Sequence, residues 1–189
     1  LTLCAAGVFL SAGTKLLDSD FAKTGGMRTN DRRTAKFGFF QGVLPLKWNE
    51  NFADWTKSSA RTVREKDSQG GYLRFQVLKV ASGAPQFYCA LPELLPGKRY
   101  CLKVEARNQS ENAASLILRM ISPPYITLRT LKIAVSPEWR SVSQSFSLEQ
   151  KSPDPLGLFL IPDGEGKLDI RRISLEELGA EESGRRVLL

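Results

Sequence analysis

Histidine is missing altogether from the 189 residues. That absence removes Ser-His-Asp and Cys-His triads, histidine general bases and most catalytic zinc sites at once. Cysteine is scarce: Cys4, Cys89 and Cys101 are too few for a disulfide framework. Cys89 and Cys101 flank a turn and could pair if their strands are neighbours, which spacing leaves open; isolated strand cysteines otherwise serve as small buried hydrophobes. The chain has no P-loop and no strand-linked glycine fingerprint, so the nucleotide-binding motifs are missing too. No apolar run reaches the roughly 20 residues a membrane-spanning helix needs, and no membrane insertion is expected. The longest run, LTLCAAGVFLSAG at 1–13, resembles the apolar region and small-residue cleavage site of a secretory leader without its basic start. A first core element is the competing reading, and export is the expectation.

What is present is an ordinary globular composition. Hydrophobic residues make up 42% and charged residues 25% of the chain, enough apolar matter for a core and too much for disorder. Lys plus Arg number 27 against 20 Asp plus Glu, a net charge of +7. Such a surplus can steer a chain toward polyanions. The densest excess, KTGGMRTNDRRTAK at 23–36, has two adjacent glycines and no apolar period, so it reads as a solvated loop. Neither a recognition helix nor an aromatic ribonucleoprotein motif accompanies it, and a nucleic-acid partner is not expected.

Helical periodicity is rare, while short β-rich runs recur at 36–41, 61–66, 71–80, 85–91, 99–107, 114–121, 125–135, 139–148, 156–161 and 167–175. In 99–107, Tyr100, Leu102, Val104 and Ala106 share one face; in 71–80, Leu73, Phe75 and Val77 point inward and Tyr72, Arg74 and Gln76 outward. Period-2 alternation of this kind marks strands with one buried face. Pro96-Gly97 and Asp163-Gly164-Glu165-Gly166 are turn sequences between runs, and Pro123-Pro124 interrupts pairing. The expectation is one all-β domain over 14–176, a sandwich, preceded by a leader remnant at 1–13 and followed by a linker or tail at 177–189.

Several segments, in order, resemble the carbohydrate-binding modules of the family 4, 9 and 22 group. They are LLDSDF at 16–21, Leu44-Pro45 followed by Trp48, LPELLPGKRYCLKVEAR at 91–107, SPEWRSVSQSFSL at 136–148 and GKLDIRRISLEEL at 166–178. The resemblance covers residues 16–176. It implies a galactose-binding-domain-like jelly-roll β-sandwich that holds a polysaccharide or oligosaccharide without cleaving it, is secreted, periplasmic or exposed at the cell surface, and sits beside a glycoside hydrolase domain. It also puts Trp48 and Trp139 in the core. The alternative is a structural or protein-interaction sandwich of a cell-surface protein without sugar binding.

Sugar recognition needs aromatic faces for the C–H side of a pyranose and paired polar groups for its hydroxyls, gathered in a concave site. Trp55, Tyr72, Tyr88 and Tyr125 are the stacking candidates, and Arg74, Gln86, Glu105, Arg107 and Arg119 the hydroxyl-binding ones. For each aromatic, and for Trp55 about equally, core packing competes. A glycosidase would need two carboxylates across a cleft. The acidic residues lie mostly in turns, including Asp67, or in the tail, and Glu105 has no evident partner, so no catalytic activity is expected. The resemblance further implies a structural calcium bound by a glutamate after the opening phenylalanine and by aspartates in the closing strand. Here those positions carry Ala22 and Arg171-Arg172, so no cofactor and no metal are expected; a two-residue slip would offer only Asp169.

Overall fold

The alternating runs become strands because each buries one row of side chains while its backbone pairs with two neighbours. The computed structural model describes residues 13–23, 26–33 and 38–179. The strands in these residues are β1 (Thr14–Asp20), β2 (Met27–Thr29), β3 (Arg32–Arg33), β4 (Phe39–Gln41), β5 (Val43–Pro45), β6 (Trp48–Glu50), β7 (Ser59–Asp67), β8 (Gly70–Lys79), β9 (Phe87–Ala90), β10 (Arg99–Ser110), β11 (Ala114–Met120), β12 (Thr127–Ile133), β13 (Ser136–Ser147), β14 (Leu156–Ile161) and β15 (Gly166–Leu178). They form a jelly roll. One sheet runs β13-β10-β15-β8-β7-β4-β3, the facing sheet runs β12-β11-β14-β9-β6, and β2 and β5 make a small ribbon.

β15 organises the larger sheet. β10 lies along the whole of one edge, while the other edge is shared, first by β8 opposite Gly166–Ile170 and then by β1 opposite Arg172–Glu177. All ten expected runs contain strands, but β1, β2, β3, β5 and β6 fall outside them. These strands are mostly too short to show a period. β15 also continues to Leu178, past the loss of alternation at Glu176, because Glu176 and Glu177 pair on both sides with β1 and β10. Of the leader expected at 1–13 only Gly13 lies within the described residues, and of the tail at 177–189 only 177–179 do.

The core lies between the sheets. Leu73, Phe75, Val77, Tyr100, Leu102, Val104 and Ala106 are all buried there, as their phase requires. Phe21, Trp48, Phe75, Phe87, Phe40 and Phe52 form a chain of edge-to-face contacts, with centroids from 4.8 Å (Phe75–Phe87) to 6.2 Å (Phe40–Phe52). This is the arrangement that ring quadrupoles favour. Trp48 is fully buried and its indole N–H donates to Ser19 Oγ at 2.9 Å, so its one polar atom is satisfied. At the sandwich end, the Tyr100 hydroxyl accepts from Leu95 N at 2.7 Å and ties down the loop into β10, where Gly97 takes φ +73° after Pro96.

Trp139 is not in the core. In β13, Val142 and Phe146 lie opposite the inward Val104 and Tyr100. Trp139 has the other phase, with Ser141, Ser143 and Ser145, so it lies half-buried on the outer face of the larger sheet. Cys89 and Cys101 are both free thiols, on β9 and β10 in opposite sheets. Burial pushes the Cys89 thiol up to about 11. In the folded protein iodoacetamide at pH 8 is expected to modify half-buried Cys101 first and Cys89 only on unfolding, read by peptide mass spectrometry. Equal rates would contradict this.

Candidate functional site: a cleft on the smaller sheet

Cross-strand register builds the outer face of the smaller sheet. Asn49, Tyr88, Phe159, Ile117 and Thr130 form one continuous row across β6, β9, β14, β11 and β12. In its middle Tyr88 and Phe159 stack, centroids 5.4 Å apart and planes 18° apart. Arg119 in β11 lays its guanidinium over Phe159, 3.9 Å from the ring centroid. At Gly157 an added Cβ would lie 2.9 Å from the Phe159 ring and 3.0 Å from Ile121, so the missing side chain there keeps the floor low.

Two loops raise walls around this floor. The loop after β6 carries Asn51 and Trp55, whose indole N–H donates to Asn51 O at 3.1 Å. The loop between β11 and β12 carries Tyr125, held at φ +56°, a conformation that side-chain-bearing residues seldom adopt and that occurs more often at functional sites. The result is a cleft of about 570 Å³ lined by Asn51, Trp55, Gln86, Tyr88, Arg119, Ile121, Tyr125 and Phe159. Trp55 and Tyr125 are about half exposed, at 49% and 51%. Arg119 Nη2 donates to Gln86 Oε1 at 2.8 Å, whereas its buried Nε has no acceptor. The cleft therefore combines open aromatic faces with amide and guanidinium groups, and among the described residues no carboxylate lines it.

Trp55, Tyr88, Tyr125, Gln86 and Arg119 are thus brought together. The other four sequence candidates, Tyr72, Arg74, Glu105 and Arg107, lie on the outer face of the larger sheet, on the opposite side of the sandwich. Tyr72 does not present an open ring: it is 4% exposed, beneath Arg107 at 5.2 Å and edge-on to Trp139 at 5.4 Å. Arg74 and Arg107 are taken up by Asp169, which is fully buried. Glu105 has a partner after all, Arg171 Nη1 at 3.2 Å, and Arg171 also donates to Asp67 at 2.6 Å. Nor is Asp67 merely a solvated turn residue. Although burial works against it, hydrogen bonds from Trp139 Nε1, Gln69 N and Arg171 hold its carboxyl below the usual range. This face is a self-neutralised network, with Trp139 lying over Arg171 at 3.8 Å and over Arg107 at 4.9 Å.

No family model and no curated protein matches the chain. Solved structures do. A carbohydrate-binding module of family 4 aligns with a TM-score of 0.58 at 13% identity, covering 69% of this chain and 86% of its own. A xylan-binding domain, CBM22-1, from Paenibacillus barcinonensis aligns at 0.53 and 13% identity, over 90% of this chain and 98% of its own. The module CBM1 of BiXyn10A in its apo form aligns at 0.52 and 17% identity, over 86% and 98%. The chain has a carbohydrate-binding-module fold.

The calcium implied by the family resemblance does not fit this version of that fold. Both Asp169 oxygens accept from arginines, the Ala22 carbonyl accepts from Arg64 Nη2 at 2.8 Å, and Arg171 pairs with Asp67. Arg172 joins β15 to β1 through two hydrogen bonds to Asp18, at 2.7 and 2.6 Å. Despite the opposing effect of burial, these bonds bring the Asp18 carboxyl down to about 2. Cations stand where a calcium site needs anions. Thermal melts with calcium and with a chelator are expected to coincide, and a rise of several degrees with micromolar calcium would contradict this.

Asn51, Ile121 and Phe159 were missed as cleft residues. Phe159 sits in LGLFLI, where both faces are apolar, so alternation does not mark it as facing away from Leu158 and Leu160. Asn51 and Ile121 carry no local signal, because their place depends on which strands pair.

Proposed function

We propose that this chain is a non-catalytic polysaccharide-binding module and that the cleft on the smaller sheet is its site. The observation that carries the reading is the cleft itself: Trp55, Tyr88 and Tyr125 expose aromatic surface around one concavity that also holds Asn51, Gln86 and Arg119. A pyranose offers apolar C–H faces to such rings and hydroxyl pairs to such polar groups. Binding without cleavage is favoured because the described residues of the lining include no carboxylate, whereas glycosidases of the usual kind need two across the scissile bond. The fold supports the same reading, since it is shared with modules described as carbohydrate-binding. Among the described residues no helix is long and apolar enough to cross a membrane. We further propose that the protein is exported and serves beside a glycoside hydrolase domain.

The test is direct. Isothermal titration of the chain against soluble β-glucans, xylans, mannans, galactans and pectic polysaccharides is expected to give at least one dissociation constant on the order of micromolar to millimolar. Failure to bind any of them would overturn the reading in favour of a structural or protein-interaction sandwich.

A further inference from the structure

The cleft has an unbalanced charge. Among the described residues, Arg119 is the one charged residue in its lining. Two other partly buried arginines spend their donors on backbone carbonyls, Arg64 on Ala22 and Arg129 on Leu128 and Ser147. Four more have carboxylates at hand: the partly buried Arg74 and Arg107 pair with Asp169, and the exposed Arg32 and Arg172 pair with Glu50 and Asp18. Each of these is held more firmly in its charged form, although burial works against it. Arg119 is different. Among the described residues its one hydrogen-bond acceptor is the neutral amide oxygen of Gln86, and its buried Nε has none. Burial accordingly shifts Arg119 downward, opposed only by Tyr125. A guanidinium taken from water without an anion is costly, and an anion arriving in the cleft recovers that cost.

Resting on the reading of the cleft as a saccharide site, we infer that its preferred ligand is an acidic saccharide, a uronic acid whose carboxylate is taken by Arg119. Stereochemistry favours a carboxylate. The guanidinium lies over Phe159, with Tyr125 also near it at 5.8 Å, so its donors are offered in the guanidinium plane. A planar carboxylate meets such a fork edge-on. The sugar ring bearing it would then lie beside Tyr88 and Trp55, which line the same cleft. The anion supplies charge complementarity and the ring supplies stacking, so neither a neutral sugar nor a simple polyanion satisfies both.

Two matched ligand pairs test this by calorimetry on the full chain: oligogalacturonides against their methyl esters, and glucuronic-acid-substituted xylo-oligosaccharides against unsubstituted ones of equal length. In at least one pair the acid is expected to bind about tenfold more tightly than its neutral partner. Arg119→Gln is expected to bring that ratio close to one, and polyglutamate at equal charge concentration is expected not to displace the sugar acid. Equal affinities within both pairs, or a preference that survives Arg119→Gln, would overturn the inference and leave saccharide binding standing. Displacement by polyglutamate would assign the preference to the net charge of the chain and overturn it likewise. No binding by any of the four ligands would overturn this inference, and the saccharide reading would fall with it only if the β-glucans, mannans and galactans failed to bind as well.

Discussion

Asp169→Asn is expected to cost the fold about 3 kcal/mol, the scale seen when one partner of a buried ion pair is removed. Asp169 sits in β15 between Arg74 on β8 and Arg107 on β10, and is fully buried. It accepts four hydrogen bonds: from Arg74 Nε and Nη2 at 2.8 and 3.1 Å, and from Arg107 Nε and Nη2 at 3.0 and 2.7 Å. Both guanidinium groups are themselves mostly shielded, at 18% exposure. An asparagine would leave two cations facing each other with no anion between them, and its amide N–H₂ would oppose their donors. Equilibrium urea unfolding measures the change as a lower midpoint with little change in slope. Glu105→Gln, in the same network but 40% exposed, is expected to cost less than about 1 kcal/mol. A loss below 1 kcal/mol for Asp169→Asn would mean that the network relaxes or hydrates more readily than its burial implies.

Trp55→Ala is expected to weaken saccharide binding at least tenfold while leaving the midpoint of unfolding nearly unchanged. Its ring is half exposed at the cleft wall, so little of the core depends on it, whereas a large aromatic surface at a site usually carries a disproportionate share of affinity. Trp139→Ala is the matched control. It removes an indole of the same size from the opposite face, where the ring covers Arg107 and Arg171, so it should lower stability and leave the affinity within twofold. If Trp139→Ala abolishes binding and Trp55→Ala does not, the larger sheet bears the site.

These two experiments fall on opposite sides of a division that local sequence does not contain. The outward phase of Tyr72, Arg74 and Arg107 is correctly read from alternation, yet outward is not the same as open. Tyr72 is roofed by Arg107 and Trp139, which come from strands β10 and β13. Likewise Tyr88 is one stacking candidate among four and Phe159 looks like one more apolar strand residue, and only the pairing of β9 with β14 stacks the two into a cleft floor.

The sequence by itself determined the all-β class, the ten long strand runs and which residues of β8 and β10 enter the core, because side-chain direction in a strand depends only on position along it. The lack of histidine, which removes whole classes of catalysis, was equally plain. Only the tertiary structure decided how the outward residues were divided. Trp55, Gln86, Tyr88, Arg119 and Tyr125 meet in one cleft, while on the opposite face Arg74 and Arg107 are neutralised by Asp169, and Glu105 and Asp67 by Arg171. Strand order and register join segments far apart in the chain, and alternation within a strand carries no record of its neighbour.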